Sequence, residues 1–274
     1  ETMAEYFAAK SSLFSPLRSR RAVINTDDEW GRRLAGSVVV PHVTYAVSGP
    51  ADWTIRSVRA DAAGSVFEAV HAGTAVTVRV GSPGLFNVAN ALCALAMLVT
   101  AGHAPQPAAA ALSSFHGVPG RMEVVGAQPA VIVDYAHTPD AVERALHAIA
   151  GLTQGRIWCV IGCGGDRDAI KGPARGETAA RLAEHGVVTD DNPRSDAPAV
   201  IRAAVLRGAH QVAGADVTEI GDRSDAIHRV IAAASPADTV IILGKGHETG
   251  QEIAGVVQPF DDRDVARAAL GARP

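Results

Sequence analysis

Four short stretches of this chain hold residue types that could do chemistry together. They are Asp134-Tyr135-Ala136-His137, Gly162-Cys163-Gly164-Gly165-Asp166-Arg167-Asp168, Asp190-Asp191-Asn192-Pro193-Arg194 and Gly244-Lys245-Gly246-His247-Glu248. Glycines directly after a strand let backbone approach a ligand or turn through positive φ. Pro193 fixes one φ while Asn192 and Asp191 fold back on their own backbone, which stiffens that loop. Arg194 then presents a planar fork suited to bidentate capture of a carboxylate. Lys245 and His137 suit an anion such as phosphate, Glu248 suits an ammonium group, and Asp134 suits hydroxyls or a metal. Each stretch alone also reads as an ordinary turn with solvated charges. Together they are amphoteric, and an amino acid plus a nucleotide would satisfy them all.

The elements around these stretches decide between those readings. Apolar runs at Ala130–Val133, Ile157–Ile161, Gly186–Val188, Val217–Ile220 and Thr239–Leu243 alternate with helical patterns. Those patterns begin at Pro139 under a Thr138 cap, near Gly176, around Ala199, near Asp225 and at Asp262. Continuous Val/Ile runs between helices predict an α/β fold, with a mostly parallel sheet covered on both faces. Ligands of such sheets gather at the carboxyl ends of strands, where all four polar stretches lie. Residues 1–118 read differently from 119–274. A helix is expected over Met3–Phe14, a short strand at Arg21–Asn25, and a β-meander from Trp53 to Val80. Helices over Asn87–Thr100 and from Pro105 to Phe115 follow.

Composition removes several classes. The 274 residues are 47% hydrophobic and only 4% aromatic, so Ala and Val must fill the cores. A formal charge of −4 with no basic stripe argues against general nucleic-acid binding. No apolar run approaches the roughly 18–20 residues of a membrane span, and the first residues carry no signal-peptide pattern. Three cysteines without paired Cys/His spacing read as reduced thiols, which fits a cytoplasmic setting. The glycine spacing departs from a dinucleotide fingerprint, which sets a dinucleotide-dependent oxidoreductase aside, and no Gly-Lys-Ser/Thr P-loop occurs.

In order and spacing, Gly120-Arg121-Met122-Glu123, Asp134–Asp140, Gly162–Asp168, Asp191–Arg194 and Gly244–Glu248 resemble the Mur ligase family, in its diaminopimelate-adding branch. The resemblance spans the chain. It implies that residues 1–118 are the C-terminal part of a central ATP-binding domain and 119–274 a Rossmann-like amino-acid-binding domain. Lys10, in Tyr6-Phe7-Ala8-Ala9-Lys10, matches the lysine whose carbamate helps place magnesium. Asn87 and Asn90 match the adenine-side segment, and Arg121, Asp134 and His137 fall on the nucleotide's ribose and phosphate side. The diaminopimelate contacts fall on Arg167, Asp191, Asn192, Pro193, Arg194, Gly244 and Glu248.

The activity so implied is ATP-dependent, Mg2+-assisted ligation of meso-diaminopimelate to UDP-N-acetylmuramoyl-L-alanyl-D-glutamate through an acyl phosphate, by a cytoplasmic monomer. A lysine-adding relative, another Mur or folate-type polyglutamate ligase, and a non-catalytic amino-acid-binding module are the alternatives. The chain departs from the family after Asp168, where Gly172 stands in place of an arginine. It also lacks the UDP-binding domain and the P-loop, so the chain alone is expected to be inactive.

Overall fold

A computed structural model describes residues 2–62, 64–115, 117–165 and 170–273. Its contacts divide into two units, one of residues 1–60 and 64–116, the other of residues 61–63 and 117–274.

In the first unit, α1 (Met3–Ser11) starts at a capping box. The Thr2 hydroxyl accepts from the Glu5 amide, and the Glu5 carboxylate accepts from the Thr2 amide. A 3-10 turn, Ser12–Phe14, continues it, so the helix expected over Met3–Phe14 comes in two pieces. A five-stranded sheet follows in the order β1 (Ala22–Asn25), β2 (His42–Tyr45), β3 (Trp53–Asp61), β4 (Gly64–His71), β5 (Thr74–Val80). The first three strands run parallel, and β4 and β5 form an antiparallel hairpin. Between β1 and β2 runs α2 (Glu29–Ser37). The helix α3 (Leu85–Thr100) lays Val88, Leu92, Leu95 and Ala96 against Trp53, Phe67 and Val78, and α4 (Pro105–Ser113) adds Ala108 and Ala109. That spacing is one face of a 3.6-residue helix.

The second unit is built on a six-stranded sheet. Along the chain its elements are β6 (Glu123–Ala127), β7 (Ala130–Asp134), α5 (Pro139–Ala150), β8 (Ile157–Ile161), α6 (Gly172–Leu182), β9 (His185–Val188), α7 (Pro198–Ala209), β10 (Val217–Glu219), α8 (Arg223–Ala233) and β11 (Thr239–Leu243). A two-stranded hairpin, β12 (Gly250–Ile253) and β13 (Val256–Pro259), and α9 (Asp262–Gly271) complete it. The sheet order is β10-β9-β8-β11-β7-β6, parallel except for β6. This is the mixed α/β architecture with a mostly parallel sheet that the alternating runs predict.

Side-chain alternation explains the layering. Ile132, Cys159, Ile161, Ile241 and Leu243 meet α5, α6 and α7 on one face. Val131, Val133, Val160, Val240 and Ile242 meet α8 and α9 on the other. All five residues of β11 are buried between parallel neighbours. Each large aliphatic there contributes about 1.5–3 kcal/mol of burial. The helices that follow β8 and β7 thus lie on one face, and α9, which follows β11, lies on the other. A crevice therefore opens at the carboxyl ends on both sides of β11, the position where open α/β sheets take ligands.

The helix expected near Gly176 starts four residues earlier, at Gly172, because Pro173 fits its first turn. Cys93, Cys159 and Cys163 are free thiols, and burial pushes the Cys159 thiol up to about 12, which keeps it inert. Among the described residues no helix is long and apolar enough to cross a membrane.

Contact between α6 and α7 is so close that it depends on missing side chains. A Cβ on Gly208 would lie 1.8 Å from the Pro173 carbonyl oxygen, and one on Gly176 would lie 2.0 Å from that of Val205. Gly208→Ala is expected to destabilise the protein by about 1–3 kcal/mol through overpacking. Gly151→Ala, at a position with negative φ and nothing within 4 Å, should stay within about 0.5 kcal/mol of the parent. Scanning calorimetry of the two variants checks this, and equal melting temperatures would refute the close contact.

Candidate functional site

Within the second unit, three loops are locked to one another around β11. Gly244, with φ of +116°, lies against Asp191; a Cβ there would sit 2.3 Å from Oδ2 of that carboxylate. Only glycine allows both the backbone angle and the approach. The Gly165 amide donates to the Asn192 carbonyl at 2.9 Å, joining the loop after β8 to the loop after β9. The glycine-rich composition that reads as ligand approach therefore also serves loop-to-loop packing.

Lys245 is fully buried, and its ammonium donates to Asn192 Oδ1 (3.1 Å), Glu248 Oε2 (3.2 Å) and the Gly250 carbonyl (2.6 Å). This corrects the expectation that Lys245 meets a ligand anion, because its three donors are already committed inside the protein. Asn192 is equally committed. Its Oδ1 also accepts from the Glu252 amide at 3.0 Å, and its Nδ2 donates to Glu248 Oε2 at 2.7 Å. Glu248 is thereby held at the rim with about a third of its side chain exposed.

The β12–β13 hairpin clamps the loop after β9. Gln251 Nε2 donates to the Asp191 carbonyl, the Arg194 amide to the Glu252 carbonyl, and the Ala254 amide to the Arg194 carbonyl. Arg194 sits at φ of +53° with its side chain partly exposed, and its Nε is 4.0 Å from Glu252 Oε2.

Behind this loop lies a fully buried ion pair. Arg223 Nε and Nη2 each donate to one oxygen of Asp262 at 2.7 Å. The same guanidinium donates to the Leu243 carbonyl at 3.0 Å and reaches the Asp190 carbonyl at 3.4 Å. Burial pushes the Asp191 carboxyl above its ordinary range, while Arg223 and Lys245 pull it back down.

These loops enclose a cavity of about 90 Å³ at the carboxyl ends of the strands. It brings together His137, Asp191, Asn192, Arg194, Gly244 and Glu248, all candidates from the sequence, with Tyr135, Gly164 and Arg175. Arg175, not a site candidate from the sequence but part of the stretch after Asp168 that departs from the family, is almost completely buried. Its only signal was its place in the first turns of the helix that follows a candidate loop. Pro193 is buried in the loop itself, and Arg167 lies outside the described residues.

Beside the cavity, Asp134 accepts from the Met122 amide through Oδ2 and from the Ala136 amide through Oδ1, both at 2.8 Å. Burial raises its carboxyl, opposed by those amides and Arg121. Arg121 stacks its guanidinium 4.4 Å from the centre of the Tyr135 ring, and His137 meets the same ring edge-on. Asp134 therefore shapes the turn that presents Arg121.

The remaining candidates lie in the first unit. Asn87 and Asn90 are one turn apart near the start of α3, and Asn87 Nδ2 donates to the Pro83 carbonyl. Lys10 is exposed in the last turn of α1, its ammonium 5.4 Å from the centre of the Tyr6 ring. Magnesium takes six ligands in near-octahedral geometry, mostly oxygens. No group of three or more His, Cys, Asp or Glu that could hold a metal occurs among the described residues. Lys10 alone does not fit such a site.

Comparison with known proteins places this arrangement. The family described as "Mur ligase middle domain" matches residues 1–98, and "Mur ligase, glutamate ligase domain" matches residues 120–246. The UDP-N-acetylmuramoyl-L-alanyl-D-glutamate–2,6-diaminopimelate ligase of Streptomyces coelicolor is 47% identical over 98% of this chain and 54% of its own length. The Synechococcus elongatus protein of that name is 44% identical over 99% of this chain and 55% of its own. A solved structure bearing the same name matches with a TM-score of 0.70 at 35% identity, covering 99% of this chain and 57% of that one. A Mycobacterium tuberculosis folylpolyglutamate synthase, at 18% identity and a TM-score of 0.69, shares the fold. The chain spans about half the length of the curated relatives it matches. With both domain families aligned in series and these relatives along its whole length, the chain belongs to the Mur ligase family.

Proposed function

We propose that this chain supplies the amino-acid-binding part, and a portion of the ATP-binding part, of a ligase that joins meso-diaminopimelate to UDP-N-acetylmuramoyl-L-alanyl-D-glutamate in peptidoglycan precursor synthesis. One observation carries the reading. The cavity at the carboxyl ends around β11 presents cationic Arg194 and Arg175 beside acidic Asp191 and Glu248. Diaminopimelate carries two ammonium and two carboxylate groups, and this lining complements one of its zwitterionic ends. The names of the relatives point to the same substrate.

In this reading Asp191 and Glu248 receive an ammonium group and Arg194 a carboxylate. Gly244 gives the ligand room beside Asp191, while Asn192, Pro193 and Lys245 hold the loops in place. Arg167 belongs to the same proposed set. Asn87 and Asn90 are proposed on the adenine side of ATP, and Arg121, Asp134 and His137 on its ribose and phosphate side. Residues 1–118 and 119–274 are the corresponding domain parts.

The reaction would move the γ-phosphoryl group of ATP onto the substrate carboxylate. The amine of diaminopimelate would then attack that carbonyl, lose a proton and expel phosphate. The chain's contribution is positioning and charge complementarity. Magnesium supplies charge neutralisation on the phosphates in such reactions. Lys10 stays a candidate for carbamylation, and no step is assigned to a metal held by this chain. A setting in the cytoplasm and a monomeric state belong to the same proposal.

Calorimetric titration of the chain with meso-diaminopimelate and L-lysine tests the substrate. Diaminopimelate should bind, and L-lysine, which lacks the second carboxylate, should bind at least about tenfold more weakly, the worth of one charged hydrogen bond. Arg194→Ala should bring the two affinities together. Equal affinities in the parent chain would favour a lysine-adding relative.

A further inference from the structure

We infer that the buried Arg223–Asp262 pair is a positioning device for Asp191, fixing the place of its carboxylate by tying the ends of two strands to the starts of two helices. The inference rests on the reading of the cavity as an amino-acid site. Arg223 is the first residue of α8, and Asp262 the first of α9. Neither side chain has any exposed surface. The strands concerned, β9 and β11, are not neighbours, since β8 lies between them. No ladder hydrogen bond therefore fixes the loop after β9 against the loop after β11. Lys245 and Glu248 join the two loops farther out, through Asn192, and Arg223 ties the strand ends themselves, through the carbonyls of Asp190 and Leu243, which immediately precede Asp191 and Gly244.

Folding stability alone does not account for the pair. Replacing a buried ion pair by apolar residues of similar volume is often neutral or stabilising, because desolvating two charges offsets their attraction. What an apolar pair cannot do is donate to two carbonyls at once and hold a positive charge near Asp191. The groups facing that carboxylate are Arg223 from α8, Asp262 from α9, and Lys245 and Glu248 from the loop after β11. Two cations are thus set against two further acids, and removing Arg223 leaves Lys245 alone to oppose the burial of Asp191.

The test is the double variant Arg223→Met/Asp262→Leu, with Arg223→Lys beside it. Scanning calorimetry should find the double variant folded, with a melting temperature near the parent's. Its affinity for meso-diaminopimelate at neutral pH should fall by at least about tenfold, the scale for truncating a buried charged contact. Its acid limit of binding should also move to higher pH, a change that a purely structural pair would not produce. A folded double variant with the parent's affinity and pH profile overturns the inference. If the double variant does not fold, Arg223→Lys decides, since lysine keeps the charge but cannot hold Asp262 and both carbonyls together. Parental affinity in that variant overturns the inference, and a loss supports it. Should the parent chain bind no diaminopimelate, the substrate reading fails by itself. The device is then read from the carbon chemical shift of the Asp191 carboxyl, whose titration should move upward in the double variant and would stay in place if Arg223 had no such role.

Discussion

Lys245→Ala is expected to lower the stability of the protein by about 3 kcal/mol, at the lower end for breaking a buried ion pair because Glu248 keeps some solvent. The lysine is 0% exposed, and its three donors all end on protein acceptors. Removing it strands the Gly250 carbonyl, takes away one of the three Asn192 side-chain hydrogen bonds, and leaves Glu248 without the cation it pairs with and Asp191 with Arg223 alone. Lys245→Met restores the apolar volume of the stem but none of the donors, so it should recover only the packing part of the loss. Urea unfolding of the three proteins measures both costs. If the alanine variant unfolds within about 0.5 kcal/mol of the parent, the ordinary range for surface changes, Lys245 is not the anchor of these loops. If it binds an anion instead, phosphate should stabilise the parent and not the variant.

That anchor is a useful measure of what could be read from residues alone. The runs Ala130–Val133, Ile157–Ile161 and Thr239–Leu243 are legible as buried parallel strands because both faces demand apolar side chains, and they became β7, β8 and β11. Thr138-Pro139 is legible as a helix start because a hydroxyl cap and a fixed φ favour it locally, and the Thr138 hydroxyl does accept from the Ala141 amide. The convergence of four polar stretches on one sheet edge followed from topology, and the cavity assembles six of the residues singled out in them.

What escaped has equally local causes. The helix α2 is only nine residues long, its glycines at 31 and 36 lower its helix propensity, and its Asp28 cap is easily taken for part of a polar turn. The strand β6 is short, bulged against β7 and contains Gly126, all of which blur a period of two. The β12–β13 hairpin turns at Ala254 and Gly255, both at positive φ, where the usual signal is Asn-Gly or Asp-Gly. Above all, burial of a charge is invisible to composition. Lys245 reads as a residue for a ligand anion, and Arg223 and Asp262 carry no signal of burial at all, yet all three are fully buried, Arg223 and Asp262 because they meet from helix starts 39 residues apart.

Asp191→Asn is expected to make the protein more stable near neutral pH while removing most of its affinity for a diamino acid. The carboxyl of Asp191 is raised above its ordinary 3.8, by burial first and against the pull of Arg223 and Lys245. A carboxyl raised in the folded state favours folding most when protonated. Its contribution is fully present below the unfolded value and is lost as pH rises through the folded one. At neutral pH the ionised Asp191 is therefore a cost to the fold, which the neutral amide does not incur. Ligand binding reverses the preference, because an ammonium group needs the ionised carboxylate at the cavity wall. Affinity for meso-diaminopimelate should thus fall away on the acid side at a pH above the usual aspartate range, and Asp191→Asn should lose at least about thirtyfold in affinity at neutral pH. Titrations at several pH values, with thermal unfolding of both proteins at each, separate the two effects. A variant that is less stable than the parent at neutral pH would show that the carboxylate is already well compensated in the empty site. One that keeps both the affinity and the acid limb would place the ammonium group elsewhere, leaving Glu248 as the acid that receives it.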